Sequence, residues 1–497
     1  MIRNLIYLIL FSFLVSCSYE FPVTDEEFSS GNIDLTTYIA VGDNYSAGFM
    51  NGALYTSGQT NSFPAILSGQ FAKSGSNSDE FLQPVVSSEN GYNPIASEPA
   101  HCYGKWIYKF SNVTDEDPII LLTHGELLKP FIGEKNNINN FSVPLVKSFQ
   151  FDRADLSENI YYERFAVNPG TGTLLNDIMS ANPSFFTLWL GMYDVLSFAM
   201  SGGSGDIDPP SDPDQIQEFD LTPVGVFEES ITEIVEELLE NPETKGAITT
   251  LPYISDLPFF YFRQYNFMRL GNSKLSQATN FASPFNMAVF AHNLDPDNEK
   301  RSLLDFNDNG ATLYPQPLVV IDESLCDAIY PDGSPLPKIR QLTEEELVLF
   351  TISEMEVNQG YLGSQIPVGE ELYLSKNQVH ELRIRIDSYN QVINALADEY
   401  NGRLVVVDLN SIIHEISMTG KIDAWGQLTT QQQFDFNGVP LGARLGYNSI
   451  FSLDGLHFNP RGNAFVANQF IQKMNDNFGS NIPLIDVNQF VGNSVEE

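Results

Sequence analysis

Asp454 and His457 stand three residues apart in "SLDGLHFNPRG" (452–462), directly before a helix that Pro460 helps to start. A loop with that spacing can hold both side chains toward one point. An aspartate that fixes a histidine's tautomer, with the histidine as general base, makes two members of a nucleophilic triad. The third would have to come from another segment. "YIAVGDNYSAGF" (38–49) reads as a buried strand, a tight turn and a helix, the place where many α/β hydrolytic enzymes present a nucleophile. Its turn offers Asp43, Asn44 and Ser46. "NPGTGT" (168–173) and "GMYD" (191–194) are two further turns able to face the same point.

The elements that must position these residues alternate along the chain. "YIAVGD" (38–43), "SFFTLWLG" (184–191), "GAITTLP" (246–252) and "RLVVVDL" (403–409) are short, apolar and mostly unalternating, as expected for parallel strands covered on both faces. Ile231, Ile234, Val235, Leu238 and Leu239 make one helical stripe. Val379, Leu382, Ile386, Tyr389, Ile393 and Leu396 make another, with Ser375 as N-cap and Gly402 as terminator. The last helix follows Pro460 through "NAFVANQFIQKM". Such βα alternation predicts an α/β fold, a three-layer doubly wound parallel sheet, in which ligands bind outside the carboxyl ends of the strands.

The remaining chain reads as insertion. Residues 70–150 and about 255–370 are rich in Asn, Ser, Gly, Pro and aromatics without sustained periodicity, and long connections of this kind are functional lids or binding surfaces. There is no internal repeat. The expected organisation is a signal peptide over 1–16, an acidic tether over 17–34, one α/β domain over 35–480 carrying both insertions, and a C-terminal tail over 481–497.

A strand ending in Gly-Asp-x, a Gly-x-x-Asp after a central strand and Asp-x-x-His before the last helix together resemble the SGNH/GDSL hydrolase family. "DGLHFNPRGNAFVAN" and "FFTLWLG" look like the lipoprotein members common in Bacteroidetes. The resemblance covers about 36–475 and not the insertions in detail. It implies hydrolysis of carboxylic esters, lipase or esterase chemistry, with no cofactor. His457 matches the base and Asp454 its partner. Gly170 or Gly172 matches the second-block glycine that donates to the oxyanion, and Asp43 has a structural role. Two positions depart. The family's serine nucleophile is replaced by Asn44, whose amide carries no hydroxyl and cannot form an acyl-enzyme. The family's oxyanion asparagine is replaced by Tyr193, whose phenol reaches out much farther from the backbone. Ser46 is an alternative nucleophile, although two residues along a helix turn a side chain by about 200°.

The chain's 25 Lys and Arg against 64 Asp and Glu give a net charge of −39, which repels nucleic acid and excludes it as a partner class. Hydrophobic residues make up 42% and aromatics 12%, enough for a large core rather than disorder. The opening "MIRNLIYLILFSFLVSC" reads as a secretion signal too short to span a membrane stably, and "LVSC" resembles the bacterial lipobox, in which Cys17 becomes the lipidated first residue. That places the chain in the cell envelope, at the outer membrane, facing the periplasm or the surface. Cys102 and Cys326 then form a disulfide or stay as two buried thiols. "DFNDNG", with Asp305, Asn307 and Asn309, starts like a calcium loop but has Gln316 at the twelfth position, so it is half a motif; a plain turn accounts for it, and no metal is expected.

Three functions fit these residues: a degenerate hydrolase that binds a small-molecule ester or lipid-like ligand, an active esterase using Ser46, and an interaction module for an outer-membrane protein partner.

Overall fold

The structure, a computed structural model, describes residues 28–75, 81–97, 101–109, 119–306, 313–421 and 434–495. The signal segment with Cys17, most of the acidic tether, and Asn307 and Asn309 lie outside the described residues.

The four apolar runs form one parallel sheet, β1 (Tyr38–Gly42), β2 (Phe185–Trp189), β3 (Lys245–Thr249) and β4 (Leu404–Val407), hydrogen-bonded in that order. Tyr38 pairs with Phe185, Phe186 with Gly246 and Leu404 with Gly246. Every residue of β1 and β2 is buried, which is why their sequences do not alternate. The one pair of polar side chains within these two strands is satisfied internally, with 2.9 Å between the Tyr38 and Thr187 hydroxyls.

The sheet has a fifth lane that the sequence reading placed inside an insertion. Residues 139–143 run beside β1: Ala40 N donates to Asn139 O (2.7 Å), Phe141 N to Ala40 O (2.8 Å) and Val143 N to Gly42 O (3.0 Å). The run begins with two asparagines and ends at Pro144, so it carries no strand pattern of its own. Asn side chains hold it instead, Asn139 Nδ2 on Tyr38 O (2.9 Å) and Asn140 Nδ2 on Ser46 O (3.0 Å). With this lane the spatial order in chain terms is 2-1-3-4-5, the doubly wound order whose ligand crevice opens at the carboxyl ends flanking the first strand.

The helices around the sheet include α1 (Phe63–Lys73), α2 (Tyr193–Met200), α3 (Val224–Leu238), α4 (Lys376–Glu399) and α5 (Pro460–Phe478). α3 packs on α4 and α1 on α5, while α4 and α5 both reach β4. Ser375 caps α4 in a reciprocal box with Gln378, and Asn459 caps α5 by accepting from Gly462 N (2.9 Å). α3 buries the stripe expected of it, and α4 does so from Leu382 to Leu396, with Val379 half-buried.

The second insertion is more ordered than its composition suggests. It contains a helix, Asn272–Leu294, whose buried Leu275, Ala278, Ala282, Phe285 and Val289 are spaced by threes and fours; small alanines within the stripe and Pro284 inside the helix weaken the apolar period. It also has a core of its own, including Met268, Leu318, Val320, Val348 and Ile352, distinct from the core around the main sheet. In the first insertion, Tyr103–Lys109 and Ile119–His124 form an antiparallel pair. Cys102 and Cys326 are unbridged, and Cys326 Sγ lies 3.6 Å from His292 Nε2. Among the described residues no helix is long and apolar enough to cross a membrane.

Candidate active site

The last residue of β1 is glycine because a Cβ there would sit 2.2 Å from the Trp189 carbonyl of the neighbouring strand and 2.7 Å from Ser46 Oγ. Asp43 follows and caps the single turn Asn44–Ala47 by accepting from Tyr45 N (3.2 Å), while its other oxygen accepts from Met192 N (3.1 Å). It therefore ties the turn after β1 to the turn after β2. Burial pushes the Asp43 carboxyl up to about 7, with Asp194 adding to the rise and the Tyr45 N–H and His457 opposing it. Because the folded state holds this proton more tightly than the unfolded chain does, Asp43's contribution to stability is present below its unfolded value of about 4 and is lost as pH rises toward 7. Urea melts from pH 4 to 8 should show a decline attributable to Asp43, flattened in Asp43→Asn; identical pH profiles would refute it.

Asn44 stands where the geometry converges. Its Nδ2 is 3.1 Å from His457 Nε2, and its Oδ1 accepts from Leu145 N at 2.6 Å. Leu145 follows the fifth lane and has φ +63°, a backbone conformation that favours glycine and turns its N–H toward Asn44. A backbone N–H can only donate, so Asn44 must offer it oxygen, and Nδ2 faces the imidazole. His457 Nε2 then accepts, and the ring's proton is on Nδ1, 2.9 Å from Asp454 Oδ2. The direction of every bond from Leu145 to Asp454 is thus set by one amide.

Asp454 is buried and heavily used. Oδ2 also accepts from Gly52 N (2.7 Å), and Oδ1 accepts from Ser452 Oγ and from the N–H groups of Leu456 and His457, each at 2.9 Å. Burial alone would push this carboxyl up, but the His457 ring and the backbone donors hold it below the usual carboxylate range. The His457 ring lies between Tyr45 and Phe49, with centroids 5.1 and 5.0 Å away.

Ser46 is buried with its hydroxyl against Gly42 and, among the described residues, has no hydrogen-bond partner; Asn44 holds the contact to His457. Gly170 is exposed and Gly172 half-buried; Gly170 N donates to Ser157 Oγ (2.9 Å) and neither meets Asn44 or His457. The donor beside Asn44 is Leu145, which sequence reasoning missed because a leucine hides a position of glycine-like geometry. Gly52 and Ser452, which hold Asp454, carried no signal either. Tyr193 starts α2; burial pushes its phenol up, and the phenol makes no hydrogen bond to a described residue. Asp194 accepts from Ser148 N (2.9 Å) and Ser148 Oγ (2.8 Å), holding the segment that carries Leu145.

Comparison with family models, curated proteins and solved structures finds no match. The chemistry therefore has to be read from the site.

Asp454 and His457 form one wall of a cavity of about 650 Å³, within the range of about 300–1,000 Å³ typical of small-molecule sites. Its other walls come from both insertions: Ile95, Trp106 and Ile120 on one side, and Phe259, Phe262, Phe350 and Met355 on the other. Among the described residues no group of three or more His, Cys, Asp or Glu could hold a metal. Asp305 backbone groups pair with the Gln341 side chain. The arrangement can orient a general base beside an apolar cavity, but the lone pair that would act as base is occupied by an amide that is not a nucleophile.

Proposed function

We propose that the chain is a lipid-anchored relative of SGNH/GDSL ester hydrolases that binds an ester-bearing or lipid-like ligand with little or no turnover. The observation that carries this is the Asn44 amide, which spans Leu145 N–H and His457 Nε2 and so fills both the donor and the base of the would-be reaction. A serine hydrolase needs a hydroxyl at that point and an empty donor beside it. The apolar cavity against the dyad supports a ligand with a substantial hydrocarbon part. Anchoring through Cys17 at the outer membrane, with an outer-membrane protein nearby, belongs to the same proposal.

The test is exposure of the purified soluble domain to short and medium nitrophenyl esters and to a fluorophosphonate, with His457→Ala in parallel. The wild type is expected to hydrolyse no faster than His457→Ala and to take no label. Turnover lost in His457→Ala overturns the proposal, and a label lost in Ser46→Ala would establish the active-esterase reading in its place.

A further inference from the structure

We propose that the cavity takes an apolar monocarboxylic acid, a long-chain fatty acid in chemical class, with its carboxylate on Arg263. This rests on reading the cavity as a ligand site. Its lining is mostly aromatic and aliphatic, its carboxylates are Glu354 and the donor-filled Asp454, and among the described residues Arg263 is the only Lys or Arg that lines it. That guanidinium is sunk among rings, with the centroids of Phe262, Phe267 and Phe350 at 5.8, 5.3 and 5.8 Å, and the side chain is 15% exposed.

Among the described residues its side chain has one acceptor, Glu354 Oε2, 2.7 Å from Nη1, and Nε is buried without any. Glu354 is 59% exposed, so most of its charge is screened by water rather than spent on the cation. A cation held in an apolar wall with unfilled donors is costly unless an anion completes it, and the planar guanidinium fork matches a carboxylate. The general field of a chain with net charge −39 repels anions, so an anion bound here must be recognised locally. Glu354 selects further, because its carboxylate beside the cation repels a dianionic headgroup more than a singly charged one. The cavity's hydrocarbon walls then fit the acid's tail.

The experiment uses the purified soluble domain loaded with the neutral fluorophore N-phenyl-1-naphthylamine, displaced by palmitate, methyl palmitate or hexadecyl phosphate. In the wild type, palmitate should bind at least about tenfold more tightly than either competitor, the worth of one charge-assisted pair. In Arg263→Met the ratio of acid to ester affinity should fall toward one. In Glu354→Gln, at an exposed site that does not hold the fold together, palmitate should bind several-fold more tightly. Equal affinity for acid and ester in the wild type overturns the proposal while leaving a lipid-like ligand in place. Tightest binding of the alkyl phosphate overturns it in favour of a phosphate headgroup. Failure of the fluorophore and all three lipids to bind removes the ligand-site reading as well.

Discussion

Asn44→Ser is expected to bring hydrolysis of short nitrophenyl esters roughly 100-fold above the wild type, and Asn44→Ser with Tyr193→Asn roughly a further 100-fold, the worth of one well-placed oxyanion donor. The substitution shortens the side chain and releases two groups at once. Leu145 N–H, now occupied by Asn44 Oδ1 at 2.6 Å, would point at open space beside the new hydroxyl. His457 Nε2 would be free to take that hydroxyl's proton, with Asp454 already fixing the ring. The gain is set well below a complete triad because the introduced serine sits on a turn shaped around an amide, and a misplacement of about 1 Å costs on the order of 100-fold. Adding His457→Ala to the double variant must abolish the gain. A folded double variant that stays silent and takes no fluorophosphonate would mean that the site is not an assembled hydrolase lacking only its nucleophile.

Replacing Asp454 with alanine should destabilise the chain by about 3–5 kcal/mol, the range for breaking a buried charged network. Five donors converge on this carboxylate, from Gly52, Ser452, Leu456 and the backbone and ring of His457, and all would lose their acceptor. Asp454→Asn should be no milder, because half of its amide is a donor aimed at donors. It would also push the His457 proton to Nε2, against Asn44 Nδ2, and force Asn44 to turn its nitrogen toward Leu145 N–H. Urea unfolding at pH 7 measures the loss, and ¹⁵N chemical shifts of the His457 ring report the tautomer. Because the Asp454 carboxyl is held below its usual range when folded, its stabilisation is present above the unfolded value near 4 and disappears as pH falls through the folded value. The gap between wild type and variant should therefore close in acid. A loss under about 1 kcal/mol at pH 7 would show that the network is not holding the site.

Much of this was legible in the residues. All four strands of the main sheet lie where their apolar runs put them, and Ser375 and Pro460 open the helices assigned to them. Asp454 and His457 meet because three residues of loop before a helix leave them little choice. What was hidden has physical causes. The fifth lane beside β1 pairs through its backbone and through asparagine side chains, but its residues, two asparagines at the start and a proline after the end, lack a strand-like apolar pattern. Leu145 adopts glycine's backbone conformation without being glycine, so nothing in its residue type marks it as the donor, whereas the resemblance points to Gly170 and Gly172. The helix Asn272–Leu294 buries Leu275, Phe285 and Val289 with alanines between them and carries Pro284, so its periodic trace is faint. None of the cavity's aromatic walls has a spacing that announces it, since they come from segments far apart in the chain.

The second insertion's separate core changes how this molecule can vary. Substitutions among Met268, Val320 or Ile352 do not share neighbours with those under β1 and β2, so their energetic effects should add rather than couple. The cavity walls Phe259, Phe262 and Phe350 pack with the main core instead, so the outer part of the insertion around Met268 and Val320 can be remodelled while the cavity and the platform carrying Asp454 and His457 stay constant. The outer face of the molecule can drift, whereas the cavity and the fold that bears it are inherited together.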